Sequence, residues 1–505
     1  MKHRNPDGCR LLLCLLVFVP VLSAQGYPTL SEVTNELQMA AANFPSICQF
    51  VDVTATYGMP PTWDGRSIHA VKISGNVAQE EDEPSFFIAA THHGNEIVNT
   101  VIALDAIARL TQGYGVDPVI TGLVDDNEIW IIVNCNPDGY VNGTRHNANP
   151  MGTVDLNRNY PFLWDSQCNT GVKGVSPGSE PETQTIMALS LDQRFTKVLD
   201  YHSSGRETLY AYRQTCQNHQ LTSYLESEAI LISQNSGYNG GIRGPSSNGE
   251  HYHWQLGQFS NYAFLTETHT SQQPPYSSAV TEAATVWPGT VWMLQKPIPV
   301  WGHVTDSSGA PVQASISYLE NPFTLGEQNN SEPVFGRYHA FLPDGVHTLR
   351  FEAPGLDTQD IPVTVLNGTD VHLEVVMLPT TSFTLDVSTT GGGVGDLHLG
   401  LLNLPPTAVQ GYTIVSFNTT LPIGMGVVFG INPDAMTMTG LSTPASPGNL
   451  FHWGGGWNPN LFPLAPLDFP AGTLAGYAGL SADGLALTFD ATWTPTFSDI
   501  VRITF

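Results

Sequence analysis

The four residues His93-Gly94-Asn95-Glu96 carry the sharpest chemical signal in the sequence. They follow the apolar run Ser85–Ala90 (SFFIAA) and lead into Glu96–Leu110 (EIVNTVIALDAIARL), whose spacing predicts an amphipathic helix. An imidazole and a carboxylate three residues apart at a helix entrance can reach one point, and both are good zinc ligands. Capping of the helix explains the same four residues, so a zinc site needs a third ligand from elsewhere. His202 ends the apolar strand KVLDY and precedes a Ser-Ser-Gly turn. The carboxyl ends of strands are where open α/β sheets build sites; a core histidine bonded to backbone is the competing reading. His251 and His253 read as an alternating pair on one side of a strand, without a carboxylate to complete their set.

Glu267 follows the apolar strand Asn261–Thr266 (NYAFLT) and shares a face with Ala263 and Leu265. Burying a carboxylate is costly unless it is paired or used, and bases are scarce in this chain. Beside zinc it could accept the proton of a metal-bound water. Asn157 and Arg158, within VDLNRNY, put an amide beside a planar cation suited to clamping a carboxylate. Arg145 follows Asn136-Pro137-Asp138-Gly139, where Asp138 reads as a turn former.

Strands must deliver these groups. From Tyr27 to about Gln295 apolar strands such as Glu128–Asn134 (EIWIIVN) alternate with helical patterns, including Ser31–Ala42 with a Ser cap. This alternation predicts an α/β domain with helices on both faces of its sheet. Residues 298–379 have short strands, turns at DSSGAP and PDG, and no helical periodicity, which predicts a small β-sandwich. Residues 380–505 contain seven Asp, no Glu, no Lys and only Arg502 among the bases, and read as a second all-β module.

The chain has 505 residues and a net charge of −27, which excludes a nucleic-acid binder built on clustered bases. Lys2, Arg4 and Arg10 precede the apolar run Leu11–Leu22 and small residues at Ser23 and Ala24. Residues 1–24 therefore read as a signal peptide, and no later run is long enough to span a membrane. A secreted location follows, whether extracellular, periplasmic or cell-surface. Of the six cysteines, Cys48, Cys135, Cys168 and Cys216 remain after the signal. Up to two disulfides are expected, with Cys168–Cys216 preferred because both lie in loop-like sequence.

In order along the chain stand HGNE at 93–96, NPDGY at 136–140, Arg145 with Asn147-Ala148, VDLNRNY at 154–160, SEPET at 179–183, His202-Ser203 and TET at 266–268. Together they resemble the zinc metallocarboxypeptidase family over about residues 27–296. The resemblance implies one zinc ion on His93, Glu96 and His202, with a water in the open position. It implies Glu267 as general base and proton donor, and Arg145 as stabiliser of the tetrahedral oxyanion. Asn157 and Arg158 would hold the substrate's terminal carboxylate, and Asp155 would orient the first histidine ligand. The family's mobile tyrosine has no clear counterpart here: Gly244 stands near its place, and Tyr238 is the substitute to test. Glu250 or His251 would line the specificity pocket, and Glu250 there would favour C-terminal Lys or Arg.

Residues 298–379 resemble the transthyretin-like module that follows regulatory carboxypeptidases. For residues 380–505, architecture alone suggests contact with carbohydrate, a surface or a partner. The resemblance implies a peptidase acting on peptide or protein C-termini. The alternatives are a peptidoglycan stem-peptide amidopeptidase of the same fold and a non-catalytic adhesion protein.

Overall fold

Runs of Val, Ile, Phe and Ala that are buried at every position require cover on both sides of a sheet, and such runs form the centre of the larger of two units. The computed structural model describes residues 26–212, 217, 219–366, 368–379, 383–390, 396–454 and 457–505. The expected signal peptide and Cys216 lie outside the described residues. Residues up to Lys296 form one compact unit and Pro297–Phe505 a second.

The first unit is built on eight strands: β1 Cys48–Asp52, β2 His69–Ile73, β3 Ser85–Ala90, β4 Glu128–Ile132, β5 Lys197–Ser203, β6 Glu207–Leu209, β7 Ile242–Arg243 and β8 Tyr262–Thr268. Their order is β1-β2-β4-β3-β5-β8-β6-β7. The central strands β4, β3, β5 and β8 run parallel, while β1, β2 and β6 join antiparallel to their inner neighbours, so the sheet is mixed. Every residue of β3, β4 and β5 is buried, as flanking helices on both faces require. The fold is thus the expected α/β one.

Local chemistry explains the helix ends. The first helix, Leu30–Asn43, is capped by Thr29, whose hydroxyl accepts from the Glu32 amide while Glu32 reaches back, a reciprocal cap. The cap is therefore Thr29 and not Ser31. The helix after HGNE begins at Val98, not Glu96. The metal-binding candidates occupy a turn ahead of it, closed by the Glu96 amide on the His93 carbonyl at 3.0 Å. His251 and His253 lie on the helix His251–Phe259 rather than a strand. Glu250 sits at its N-cap position, and left-handed Ser260 ends it immediately before β8.

The second unit is β-rich. Strands β9 Val300–Asp306, β10 Ser315–Tyr318, β11 Arg337–Ala340, β12 Gly345–Glu352, β13 Gln359–Val365, β14 Val371–His372 and β15 Val375–Met377 make two sheets. One is β10-β12-β13; in the other β9 pairs with β11, β14 and β15. The segment from Thr384 forms separate sheets around Phe383, Leu385, Leu399, Trp453 and Phe462. It also holds one short helix, Ala435–Ser442, started by an Asp434 capping box that the β-like composition concealed. Cys48 and Cys135 are free and buried, whereas Cys168 is disulfide-bonded. No helix among the described residues is long and apolar enough to cross a membrane.

Candidate metal centre and active site

Three parallel strands end side by side, and each delivers one part of the site. Beyond β3 the chain turns through His93-Gly94-Asn95-Glu96 against the short helix Pro137–Asn142. A Cβ on Gly94 would lie 2.0 Å from the Gly139 carbonyl carbon and 2.2 Å from the Tyr140 nitrogen, so backbone contact there admits only glycine. Asn136 holds the turn by donating to the His92 and Arg145 carbonyls at 3.2 Å each. Asp138, as expected, is structural: it is buried and accepts from Thr62, the Asp64 amide and Arg66.

His202 stands near the end of β5, and Glu267 is its register partner on β8. His93 Nδ1 lies 2.7 Å from Glu96 Oε1 and 3.2 Å from His202 Nδ1, while His202 Nδ1 lies 3.3 Å from Glu96 Oε2. Tetrahedral zinc with bonds of about 2.0–2.1 Å places its ligand atoms roughly 3.3 Å apart. Two imidazole nitrogens facing each other beside a carboxylate have that spacing and the right chemistry, so these residues fit the ion. The Glu96 carboxylate also accepts from the Ser203 amide at 2.9 Å, which ties the turn to β5.

Neighbouring groups fix the ligands. His93 Nε2 bonds Asp155 Oδ1 at 3.0 Å, which leaves Nδ1 facing the cluster as the nitrogen that could coordinate an ion. Asn157 Nδ2 lies 3.4 Å from His202 Nε2. Burial opposes charge on His93, but Glu96 and Asp155 overcome it and lift its pKa to about 9. Burial likewise disfavours the Glu96 anion, yet His93 and His202 hold its pKa far below the usual carboxylate range. The cluster thus favours positive charge at its centre.

His92, Asp200 and His202 form a second group within ligand reach. Its members are engaged elsewhere: His92 Nε2 with the Tyr160 hydroxyl at 3.0 Å, and Asp200 with His251 at 2.7 Å. The first group therefore fits zinc better.

Glu267 lies beside the candidate metal ligands, as the register partner of His202. Its Oε1 accepts from Arg243 Nη2 at 3.0 Å, and its buried Oε2 has no partner among the described residues. Burial, then the Glu96 charge, push its pKa up, against the opposing pull of His202 and Arg243. Sequence reasoning missed Arg243, the one base in the stretch before Glu250; it also pairs with Glu207 at 2.7 Å. Arg145 faces the cluster, at 3.0 and 2.9 Å from Asp155 Oδ2 and 3.4 Å from Glu96.

Asn157 and Arg158 are buried at the 3₁₀ turn Leu156–Arg158, which Asp155 caps. Arg158 Nη1 donates to the Asn157 carbonyl at 2.6 Å and to Glu250 Oε1 at 3.1 Å, and Asn157 Oδ1 accepts from the His251 amide. Glu250 is therefore not a lone pocket charge but the partner of Arg158. Burial raises its pKa, with Arg158 opposing. Tyr238 is not brought to the cluster. Its buried hydroxyl donates to Glu282 at 2.6 Å. His251 is held by Asp200 and Gln255, and burial lowers the His253 pKa to about 3. Neither is a metal ligand here.

Comparison with known proteins places these residues in context. The family model described as zinc carboxypeptidase (peptidase M14) matches residues 33–285. A zinc carboxypeptidase of Saccharothrix mutabilis subsp. capreolus is 31% identical over 150 residues, 28% of this chain and 33% of that protein. Carboxypeptidase D of Homo sapiens is 27% identical over 193 residues, 37% of this chain and 13% of its own. A Talaromyces stipitatus protein named inactive metallocarboxypeptidase ecm14 is 26% identical over 216 residues, covering 38% of this chain and 36% of that protein. The chain thus spans about a third or less of the length of these relatives. Among solved structures, carboxypeptidase A from Helicoverpa armigera shares 21% identity, with 52% of this chain and 72% of that chain covered and a TM-score of 0.45. Half of the sequence fits a single family description, and by that match the chain belongs to the zinc carboxypeptidase family.

Proposed function

We propose that the chain is a secreted zinc metallocarboxypeptidase that removes single residues from the C-termini of peptides or proteins. The observation that carries this reading is the register pairing of His202 with Glu267, which sets a buried carboxylate beside the His93–Glu96–His202 cluster. Named inactive relatives make catalysis the point to test. Here all the acid, base and ligand side chains are present.

When bound, zinc would polarise the scissile carbonyl and acidify a water, whose pKa falls to about 7. Glu267 takes the water's proton at its unpartnered Oε2 and returns it to the leaving amine. Arg145, partly exposed beside Asp155, donates to the developing oxyanion. Arg158 and Asn157 receive the substrate carboxylate, which competes with Glu250 for the guanidinium. Such a clamp selects a free C-terminus over an internal bond.

With Glu250 paired to Arg158 and Arg243 standing beside Glu267, the pocket offers basic side chains no isolated anion. Neutral C-terminal residues should be released faster than Lys or Arg. A peptide library varied at the last position, read by chromatography with and without a chelator, tests both points. Chelator-resistant release would defeat the zinc mechanism, and preferred release of Lys or Arg would restore Glu250 to the pocket. Release from wall stem peptides but not from ordinary peptides would favour the amidopeptidase alternative.

In the second unit, the two sheets formed by residues 300–377 support the transthyretin-like assignment for residues 298–379, with residues 380–505 as a further module. Contact of that last module with carbohydrate or a surface is a proposal from its architecture.

A further inference from the structure

We propose that His303, His372 and Glu374, on one face of the second unit, form a surface site for a borderline divalent transition-metal ion such as Zn2+, separate from the catalytic cluster.

Sheet geometry puts the three together. Strand β14 runs parallel to β9, with His372 opposite Trp301, and β15 keeps that offset, with Val375 opposite Val304. The same offset sets Glu374 opposite His303. Residues two apart on a strand share a face, so Trp301, His303, His372 and Glu374 make a four-cornered patch. Val300 and Val304 are buried on the other face of β9.

The donor atoms converge more than ion pairing requires. His303 Nδ1 lies 2.8 Å and His372 Nε2 2.5 Å from the same Glu374 oxygen, Oε1. All three ligand atoms fall within 4.8 Å of one another. Two imidazoles drawn to one carboxylate oxygen form the donor set of a two-histidine, one-carboxylate site. Nitrogen donors favour Zn2+ or Cu2+ over Ca2+ or Mg2+, which prefer all-oxygen cages.

The rings are also held in place. The Trp301 indole stacks on His372 with centroids 4.2 Å apart and planes at 21°, and its Nε1 donates to Asp370 Oδ2 at 3.0 Å. A ring fixed before the ion arrives loses less freedom on binding. Side-chain exposures of 19% for His303 and 50% each for His372 and Glu374 leave room for solvent ligands to complete the coordination.

The test uses the full chain with its catalytic zinc in place. Equilibrium dialysis against micromolar Zn2+, with metal counted by mass spectrometry, should give two equivalents for the native chain. His372→Ala and Glu374→Gln should each give one, with peptide turnover unchanged because neither residue belongs to the catalytic cluster. The isosteric Glu374→Gln keeps the test decisive should His372→Ala fold poorly. One equivalent in the native chain would overturn the proposal, as would a second equivalent retained in Glu374→Gln.

Discussion

Replacing Glu267 with Gln isolates proton transfer from metal binding. The ligands His93, Glu96 and His202 are untouched, and Gln keeps the size of the side chain. Arg243 loses one carboxylate but keeps Glu207 at 2.7 Å, so the strand end stays anchored. Burial already opposes the Glu267 charge, and removing that charge should change stability by about 1 kcal/mol or less. Catalysis should suffer far more. A positioned general base contributes about 10²–10⁴ in rate, or roughly 3–5 kcal/mol at about 1.4 kcal/mol per tenfold. The assay is kcat and KM on a peptide with a chromophoric C-terminal residue, beside zinc stoichiometry by atomic absorption. The expected result is the same zinc stoichiometry as the native chain, a similar KM and a kcat reduced at least a hundredfold. Turnover within tenfold of the native chain would refute the base assignment, and lost zinc would show that Glu267 supports the metal instead.

Other perturbations probe the surrounding frame. Asp155→Asn weakens the hydrogen bond that orients His93 and should lower zinc affinity about 10–100-fold, measured by competition with a chromophoric chelator. Arg158→Lys removes the planar fork while keeping the charge. A lost charged hydrogen bond of about 1.5–3 kcal/mol predicts a fall of roughly 10–100-fold in kcat/KM with an intact terminal carboxylate, and little change with an amidated end. Glu182 is buried, and desolvation followed by the Asp138 and Glu180 charges raises its pKa from 4.5 to about 7. A raised folded-state value stabilises below the unfolded pKa, and that stabilisation is lost as pH climbs through 7. The Glu182 share should be about 3 kcal/mol at most. Thermal melts between pH 4.5 and 7.5 should therefore decline less steeply with pH for Glu182→Gln than for the native chain.

Much of this architecture could be read from residue order because short-range chemistry dictates it. Short runs such as SFFIAA and KVLDY, bounded by turn signals, read as buried strands, and both lie in strands that are buried at every position. The ligand candidates stood at their carboxyl ends, where parallel pairing gathers loops. Pairing over long separations was the hidden part. Nothing near Glu250 announces Arg158, 92 residues away, as its partner. Likewise Tyr238 gives no local sign of Glu282. His251 and His253 were misread because a pair two residues apart was taken for strand alternation, whereas on the helix His251–Phe259 the two side chains point to different sides. Arg243 escaped notice because a lone arginine in a glycine- and serine-rich loop looks like an exposed charge until the fold turns it toward Glu267.

The adjacency of β5 and β8 has an implication for how such an enzyme can diversify. The distance between the ligand His202 and the acid Glu267 is set by backbone hydrogen bonds of a parallel ladder, not by the excursion from Ser204 to Asn261 that links the two strands. Within that excursion Arg243 and Glu250 must stay, because they hold Glu267 and Arg158, but the segments that touch neither group can change length and sequence without moving them. Innovation in substrate choice is thereby decoupled from preservation of the chemistry, and the intervening loops are the natural ground for evolving or engineering new preferences.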